Sequence, residues 1–276
     1  MKSGQMEMLC LPDCRGNFQK IYEAVEGFVG PLKARCNKDQ QIFAVMVLDR
    51  RNDYPAIKKI FTRMGIMSQV VLKFTAKKIN LSVASNIMKQ INSKVGGESV
   101  RMKMPSFMDT ERVMVIGIDV CHAGKKSVVG FCASKNKSQT LYYSDIIIQP
   151  KNQEVVKKDL DRCMINAIQS FSNENQGNLP TKIIIYRDGV GEGQRDQIIE
   201  KEISQFKETL KPIYNTVTGI PPITLVVVNK RINQRMFVRG PDGKSIDNPP
   251  PGSIIDANLV ENQKDNQCFD FFLVPQ

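Results

Sequence analysis

Tryptophan is absent from this 276-residue chain, histidine occurs once, and no apolar run approaches the ~18 residues needed to cross a bilayer. The last absence excludes a membrane-spanning helix, and no membrane partner is expected. Seven cysteines stand at 10, 14, 36, 121, 132, 163 and 268, none of them in a CxxC pair. With His122 as the lone imidazole, no zinc pattern can be assembled. An odd, unpatterned set of thiols fits a reducing compartment, so a cytoplasmic or nuclear location is expected. The opening MKSGQMEMLCLPDC lacks the pattern of a signal peptide. One glycine is missing from IIIYRDGVGEGQ (183–194). Gly189 and Gly191 are spaced as in a dinucleotide-binding GxGxxG loop, but Gln194 stands in the third position. No Lys-Ser/Thr pair of a P-loop follows, so nucleotide cradling is excluded there.

What is present supports a folded, basic protein. Hydrophobic residues make up 41% and charged residues 24%, enough to bury a core, and the length allows two domains. Lys and Arg outnumber Asp and Glu by 39 to 28, for a net charge of +11. That balance suits an anionic partner such as nucleic acid, although excess lysine is also ordinary on soluble surfaces. The charge is unevenly placed: residues 1–110 hold 18 Lys/Arg against 9 Asp/Glu, and residues 111–276 hold 21 against 19. A basic front and a near-neutral back point to two units with different work.

Hydrophobic spacing predicts the elements. Phe18, Ile21, Tyr22, Val25, Phe28, Val29 and Leu32 recur at helical intervals over 17–34. A strand over 41–49, a helix over 54–64 stopped by Gly65, a strand over 69–74 and a helix over 81–94 give a small Rossmann-like parallel α/β unit. The loop GGESVRMKMPS (96–106) marks the boundary. Beyond it, strands over 112–120, 126–134 and 140–149 lie at hairpin distances. A helix over 153–171, a strand over 181–188, a helix over 194–210 and strands over 223–231 and 268–274 follow. Three antiparallel strands, a helix, then parallel strands is the order of a ribonuclease H-like fold.

Two aspartates finish buried runs in that order: Asp119 ends VMVIGID and Asp188 ends IIIYRD. Carboxylates at strand ends lie at the sheet edge where α/β sites form. If the strands are neighbours, the repulsion of the paired acids favours a divalent cation. Two metal ions can activate a water and stabilise the leaving 3′ oxygen of a phosphodiester. An Asp in this position also caps a helix or turn, and both readings stay open. The glycines after Asp188 are expected to permit a sharp reversal that leaves it exposed.

The motifs GIDVCHAGKKSVVGF, IIIYRDGVGEGQ, VVVNKRINQRMF, NPPPGSIID and FDFFLV, in this order and spacing, resemble the PIWI domain of the Argonaute/Piwi family, closer to its Piwi branch. The resemblance covers nearly the whole chain. It implies a MID domain over 1–105, which anchors the 5′ phosphate of a small guide RNA, and a PIWI portion over 110–276. It further implies cleavage of complementary target RNA through Asp119, Glu154 and Asp188 with Mg²⁺ or Mn²⁺. Of these, Asp119 and Asp188 are the metal ligands. Glu154, read from residues alone, is an acid at a helix start. For His122, in DVCH, a structural role is the reading. The implied guide pocket falls on Tyr54, Lys58, Gln69, Gln90 and Lys94. Tyr54 and Lys58, four apart, share a helical face, so the ring can stack on a base while the ammonium pairs with a phosphate. Taken alone, these are also ordinary surface residues. Lys230 and Arg231 are assigned to the guide backbone. The family's fourth catalytic residue lies beyond FDFFLV, so a fragment or truncated product is expected. Two other functions remain open: a non-catalytic small-RNA-binding module that silences by recruiting partners, and an unguided ribonuclease H-like nuclease.

Overall fold

Asn17 opens the first helix by accepting a hydrogen bond from the Lys20 amide at 3.2 Å. In this computed structural model, which describes residues 7–9, 17–36, 41–188, 190–214, 219–230, 232–257 and 269–275, that helix, α1, runs Phe18–Arg35 and buries Ile21, Val25 and Val29. Strands β1 (Phe43–Leu48) and β2 (Met67–Leu72) pair in parallel, from Phe43 with Met67 to Leu48 with Leu72. Helix α2 (Tyr54–Arg63) connects them, and Gly65 ends it at φ +66°, the left-handed conformation that glycine tolerates. Helices α1 and α2 close one apolar core with β1, built from Ile21, Val25, Val29, Leu48, Ile57, Ile60, Phe61 and Ile66. The expected strand over 69–74 stops at Leu72, because Lys73–Lys77 turns into a short helix, α3. Helix α4 (Leu81–Lys94) is capped by Asn80, which accepts from the Val83 amide at 2.9 Å. Ser106–Thr110 forms α5 at the end of the segment expected to be loop.

The second core is separate. Strands β3 (Val113–Ala123), β4 (Lys126–Ser134), β5 (Tyr142–Pro150), β6 (Lys182–Asp188) and β7 (Ile223–Val228) form one sheet in the order β5-β4-β3-β6-β7. β3–β4 and β4–β5 are antiparallel, whereas β3–β6 and β6–β7 are parallel. This is the expected mixed α/β order. Helices α6 (Leu160–Glu174) and α8 (Ser204–Leu210) cover one face, packing Leu160, Met164, Phe171, Phe206 and Leu210 on Ile116, Phe131, Ile183 and Ile185. The period of two leaves Asp119, Tyr186 and Asp188 on the opposite face.

Three expectations are corrected. The helix expected from 153 begins at Leu160, so Glu154 lies in irregular chain and not at a helix start. The helix expected over 194–210 is broken into a 3₁₀ turn (Glu192–Gln194), α7 (Arg195–Ile198), a π segment (Ile199–Ile203) and α8. The last strand shrinks to β11 (Phe272–Leu273), antiparallel to β10 (Ile254–Ile255). Between β7 and β10, β8 (Val238–Arg239) and β9 (Ile246–Asp247) form a two-residue ladder. Neither Gly191 nor Gly193 takes a positive φ, and Gly189 lies outside the described residues. Asp188 therefore reaches solvent by strand alternation, without a left-handed turn at those two glycines. Among the described residues, no helix is long and apolar enough to cross a membrane.

Candidate functional site

Four of the five guide-pocket candidates are joined in one hydrogen-bonded cluster around Ser68 and Gln69. Lys58, on α2, donates from Nζ to Ser68 O at 3.1 Å and Ser68 Oγ at 2.8 Å. Lys94, the last residue of α4, donates to the same carbonyl at 2.8 Å and to Gln69 Oε1 at 2.7 Å. The Gln69 amide donates to Gln90 Oε1 at 2.9 Å and to Val70 O at 3.1 Å. Ser68 and Gln69 are themselves buried. The fifth candidate, Tyr54, stands exposed one turn before Lys58.

Two ammonium groups share this cluster, and among the described residues neither has a carboxylate partner. Burial, and then the Lys58 charge, holds Lys94 below the ordinary lysine range. A phosphate would supply the missing negative charge and accept bonds from both. Anion binding here is therefore expected to weaken as pH rises through the lowered Lys94 value, because the neutral amine loses its charge. A titration of phosphate affinity against pH in the alkaline range checks this. Ser68 was not legible as a site residue, since a lone serine in a strand carries no signal.

The acid pair is assembled as expected. Pairing of Ile118 with Arg187 puts Asp119 and Asp188 one residue further along adjacent strands, on the open face. Both line a depression of about 590 Å³ with Gly117, Gly130, Tyr186 and Lys230. The Lys230 ammonium bonds Asp188 directly and is held above the ordinary lysine range, first by that bond, then by the Asp188 charge. Lys230 thus sits within the acid site. Arg231 lies outside the described residues.

Glu154 is not drawn into the pair. Among the described residues no three acidic, histidine or cysteine side chains are close enough to hold one metal ion. The Glu154 carboxylate lies 3.2 Å from Arg187 Nη1 and 3.5 Å from His122 Nε2. His122 is held from its other nitrogen by Ser127 Oγ at 2.8 Å.

Arg187 and Glu202 are the residues that sequence reading missed. Arg187 follows Ile183 and Ile185 on the covered face and is fully buried. Its guanidinium meets the buried Glu202 carboxylate at 3.1 and 3.3 Å, Glu154 O at 2.7 Å and Asp188 O at 2.8 Å. Glu202, in the π segment, also accepts from the Val156 amide at 2.8 Å. One ion pair thus ties the π segment and the chain around Glu154 to the strand end that presents Asp188. The signal was available: an arginine two residues past two buried isoleucines must itself face the core.

Comparison with known proteins agrees with this architecture. The family model described as the Piwi domain matches residues 41–276, running across both apolar cores. Piwi-like protein 1 of Gallus gallus is 33% identical over 267 residues, covering 93% of this chain and 29% of the relative. Piwi-like protein Ago3 of Bombyx mori is 36% identical over 264 residues, covering 92% and 27%. The chain thus spans less than a third of the length of these curated relatives. The crystal structure of Drosophila Piwi superposes with a TM-score of 0.71 at 27% identity, over 95% of this chain and 33% of that one. A Kluyveromyces polysporus Argonaute structure with a guide RNA shares the fold, with a TM-score of 0.69 at 21% identity, over 85% of this chain and 29% of that one. With its mixed sheet, its linked motifs and a match over most of its length, the chain belongs to the Piwi domain family.

Proposed function

We propose that this chain forms the guide-anchoring and target-cutting part of a small-RNA-guided silencing protein. The observation that carries the first half is the Lys58–Lys94 cluster, two cations converging on neutral acceptors. Lys58 and Lys94 bind the guide's 5′ phosphate, Gln69 and Gln90 orient the site through their amide pair, and Tyr54 stacks on the first base. The basic front half adds attraction for the rest of the strand.

Asp119 and Asp188 fit a divalent cation of the Mg²⁺ or Mn²⁺ kind, being hard oxygen donors on adjacent strand ends. Such an ion, held by Asp119 and Asp188, would supply an activated water and charge stabilisation at the leaving 3′ oxygen. Arg187, buried beneath the strand, holds the Asp188 carbonyl and so fixes the carboxylate above it. Lys230 neutralises part of the acid charge and offers a donor to a nearby phosphate. The positions of Glu154 on Arg187 and His122, and of Lys230 on Asp188, favour a second reading, in which the protein binds guide and target without cutting.

The test is a comparison of 5′-phosphorylated and 5′-hydroxyl RNA binding by the full-length protein at two salt concentrations. Lys58→Ala and Lys94→Ala are each expected to erase most of the phosphate preference, about a tenfold loss per charged contact. Persistence of that preference in the double variant sinks the pocket assignment.

A further inference from the structure

One short segment links the anion cluster to the end of the five-stranded sheet opposite the acid pair, and it is tied down at both ends. After Lys94 the chain folds back on α4: the Val95, Gly96 and Gly97 amides donate to Ile91 O, Ser93 O and Asn92 O at 3.1, 3.2 and 2.8 Å. Gly96 takes φ +81°, the left-handed position of a helix cap. At Gly97 an added Cβ would lie 2.1 Å from Asn92 Oδ1, and Asn92 Nδ2 also donates to Ser99 Oγ at 3.1 Å. The segment leaving the anion cluster is therefore fixed to the helix that bears Lys94.

Glu98 then reaches into the turn between β4 and β5. Its Oε1 accepts from Asn136 Nδ2 at 2.8 Å and from the hydroxyls of Ser138 and Thr140, while Oε2 accepts from Arg101. These bonds, those from Ser138 and Thr140 foremost, push the Glu98 carboxyl down to about 2, so it stays ionised throughout the neutral range. The receiving turn is rigid as well. Asn136 Oδ1 accepts from the Thr140 and Leu141 amides at 2.9 and 3.0 Å, and Gln139 Nε2 donates to Val113 O at 3.0 Å. From this turn β4 runs back beside β3 and pairs Gly130 with Asp119. Among the described residues, the hydrogen bonds that cross from residues 41–99 to the β4–β5 turn all end on Glu98; further along the chain, Asp109 meets Lys137, and Glu111 meets Thr181 and Lys182.

We propose that Glu98 is a positioning residue that fixes the separation between the phosphate-anchoring cluster and the acid pair, and so sets which nucleotide of a bound strand meets the acids. This rests on the function proposed above. The two apolar cores share no residue, so loss of the latch leaves α4 joined to the sheet mainly through the covalent chain that leads to the Asp109 and Glu111 contacts. Successive nucleotides of a duplex strand are only a few ångströms apart along the axis, about 3.4 Å in B-form DNA. A drift of a few ångströms between the sites is therefore enough to present the neighbouring nucleotide.

The experiment uses full-length protein and a 5′-phosphorylated guide carrying a photoreactive base at successive positions. It reads which nucleotide cross-links to the β3–β4 peptide. In the wild type one position is expected to dominate. In Glu98→Ala the cross-link is expected to spread to its neighbours, with about a tenfold fall in preference for the main position and an unchanged preference for 5′ phosphate. Glu98→Gln, which keeps an acceptor oxygen, is expected to recover part of the single register. Thr140→Val is expected to shift in the same direction as Glu98→Ala, and it decides the matter if Glu98→Ala fails to fold. A single unmoved cross-link in the variants, with the phosphate preference intact, overturns the proposal. A wild type that binds 5′-hydroxyl and 5′-phosphate guides equally instead overturns the guide reading, and the register role with it.

Discussion

Arg187→Met is expected to destabilise the five-stranded sheet by about 3–5 kcal/mol, a large share of the ~5–15 kcal/mol that holds a typical domain together. The side chain removed is fully buried, and so is the Glu202 carboxylate it leaves behind. That carboxylate keeps the bond from the Val156 amide but loses both contacts to the guanidinium. The backbone carbonyls of Glu154 and Asp188 lose their donors in the same step. An uncompensated buried charge costs far more than the net value of the pair. Removing both charges, as in Arg187→Met with Glu202→Leu, is therefore expected to recover part of the loss. Amide exchange of β6 and α6 in the full-length protein measures both effects. Equal exchange in Arg187→Met and wild type would contradict the buried pair.

Asp188→Ala is expected to lower guided target cutting by about 10³-fold or more, while guide affinity stays within about twofold of wild type. Holding the attacking water and the leaving oxygen lowers the barrier by several kcal/mol, and ~4 kcal/mol corresponds to about 10³-fold in rate. Guide affinity is spared because the anion cluster lies on α2, β2 and α4, which share no apolar core with the sheet. The substitution also frees Lys230, whose ammonium bonds Asp188, so Asp188→Asn, which keeps the size and an acceptor oxygen and removes only the charge, is the companion variant. Single-turnover cutting of a matched target by the full-length protein, in Mg²⁺ and in Mn²⁺, is the measurement. A full-length wild type that binds guide and target but never cuts would favour the non-catalytic reading.

The parts of the fold that sequence made legible are those where one period dominates. The apolar spacing of KSVVGFCAS predicts a strand over 126–134, and β4 spans the same residues. Asp119 and Asp188 were found because each ends an uninterrupted apolar run, a pattern that survives without knowledge of the partner strand. The pocket residues Lys58, Gln69, Gln90 and Lys94 rest on the resemblance, since their cluster around Ser68 and Gln69 joins three elements far apart in sequence. What escaped was set by tertiary pairing. The π segment at Ile199–Ile203 is where Glu202 turns inward to Arg187, so a broken period marks a buried ion pair. The late start of α6 has a related cause. Residues 154–156 give their backbone groups to Arg187 and Glu202, and so they do not enter helical hydrogen bonding. The short last strand reflects its single small partner, β10.

The buried ion pair also bears on how β6 finds its place. Ile183, Ile184 and Ile185 are alike, so a slip of one residue along β3 would still put apolar groups, Ile184 and the Tyr186 ring, on the covered face in place of Ile183 and Ile185. Such a slip would turn every side chain over. Asp188 would then face Glu202 in the interior, two carboxylates without a cation, and Arg187 would point to solvent. The back-to-back order Arg187-Asp188 therefore works as a proofreading mark for strand alignment. Only the correct registry lets the core accept its arginine and the surface its aspartate. A strand of three isoleucines gains from charge the uniqueness that its shape does not provide.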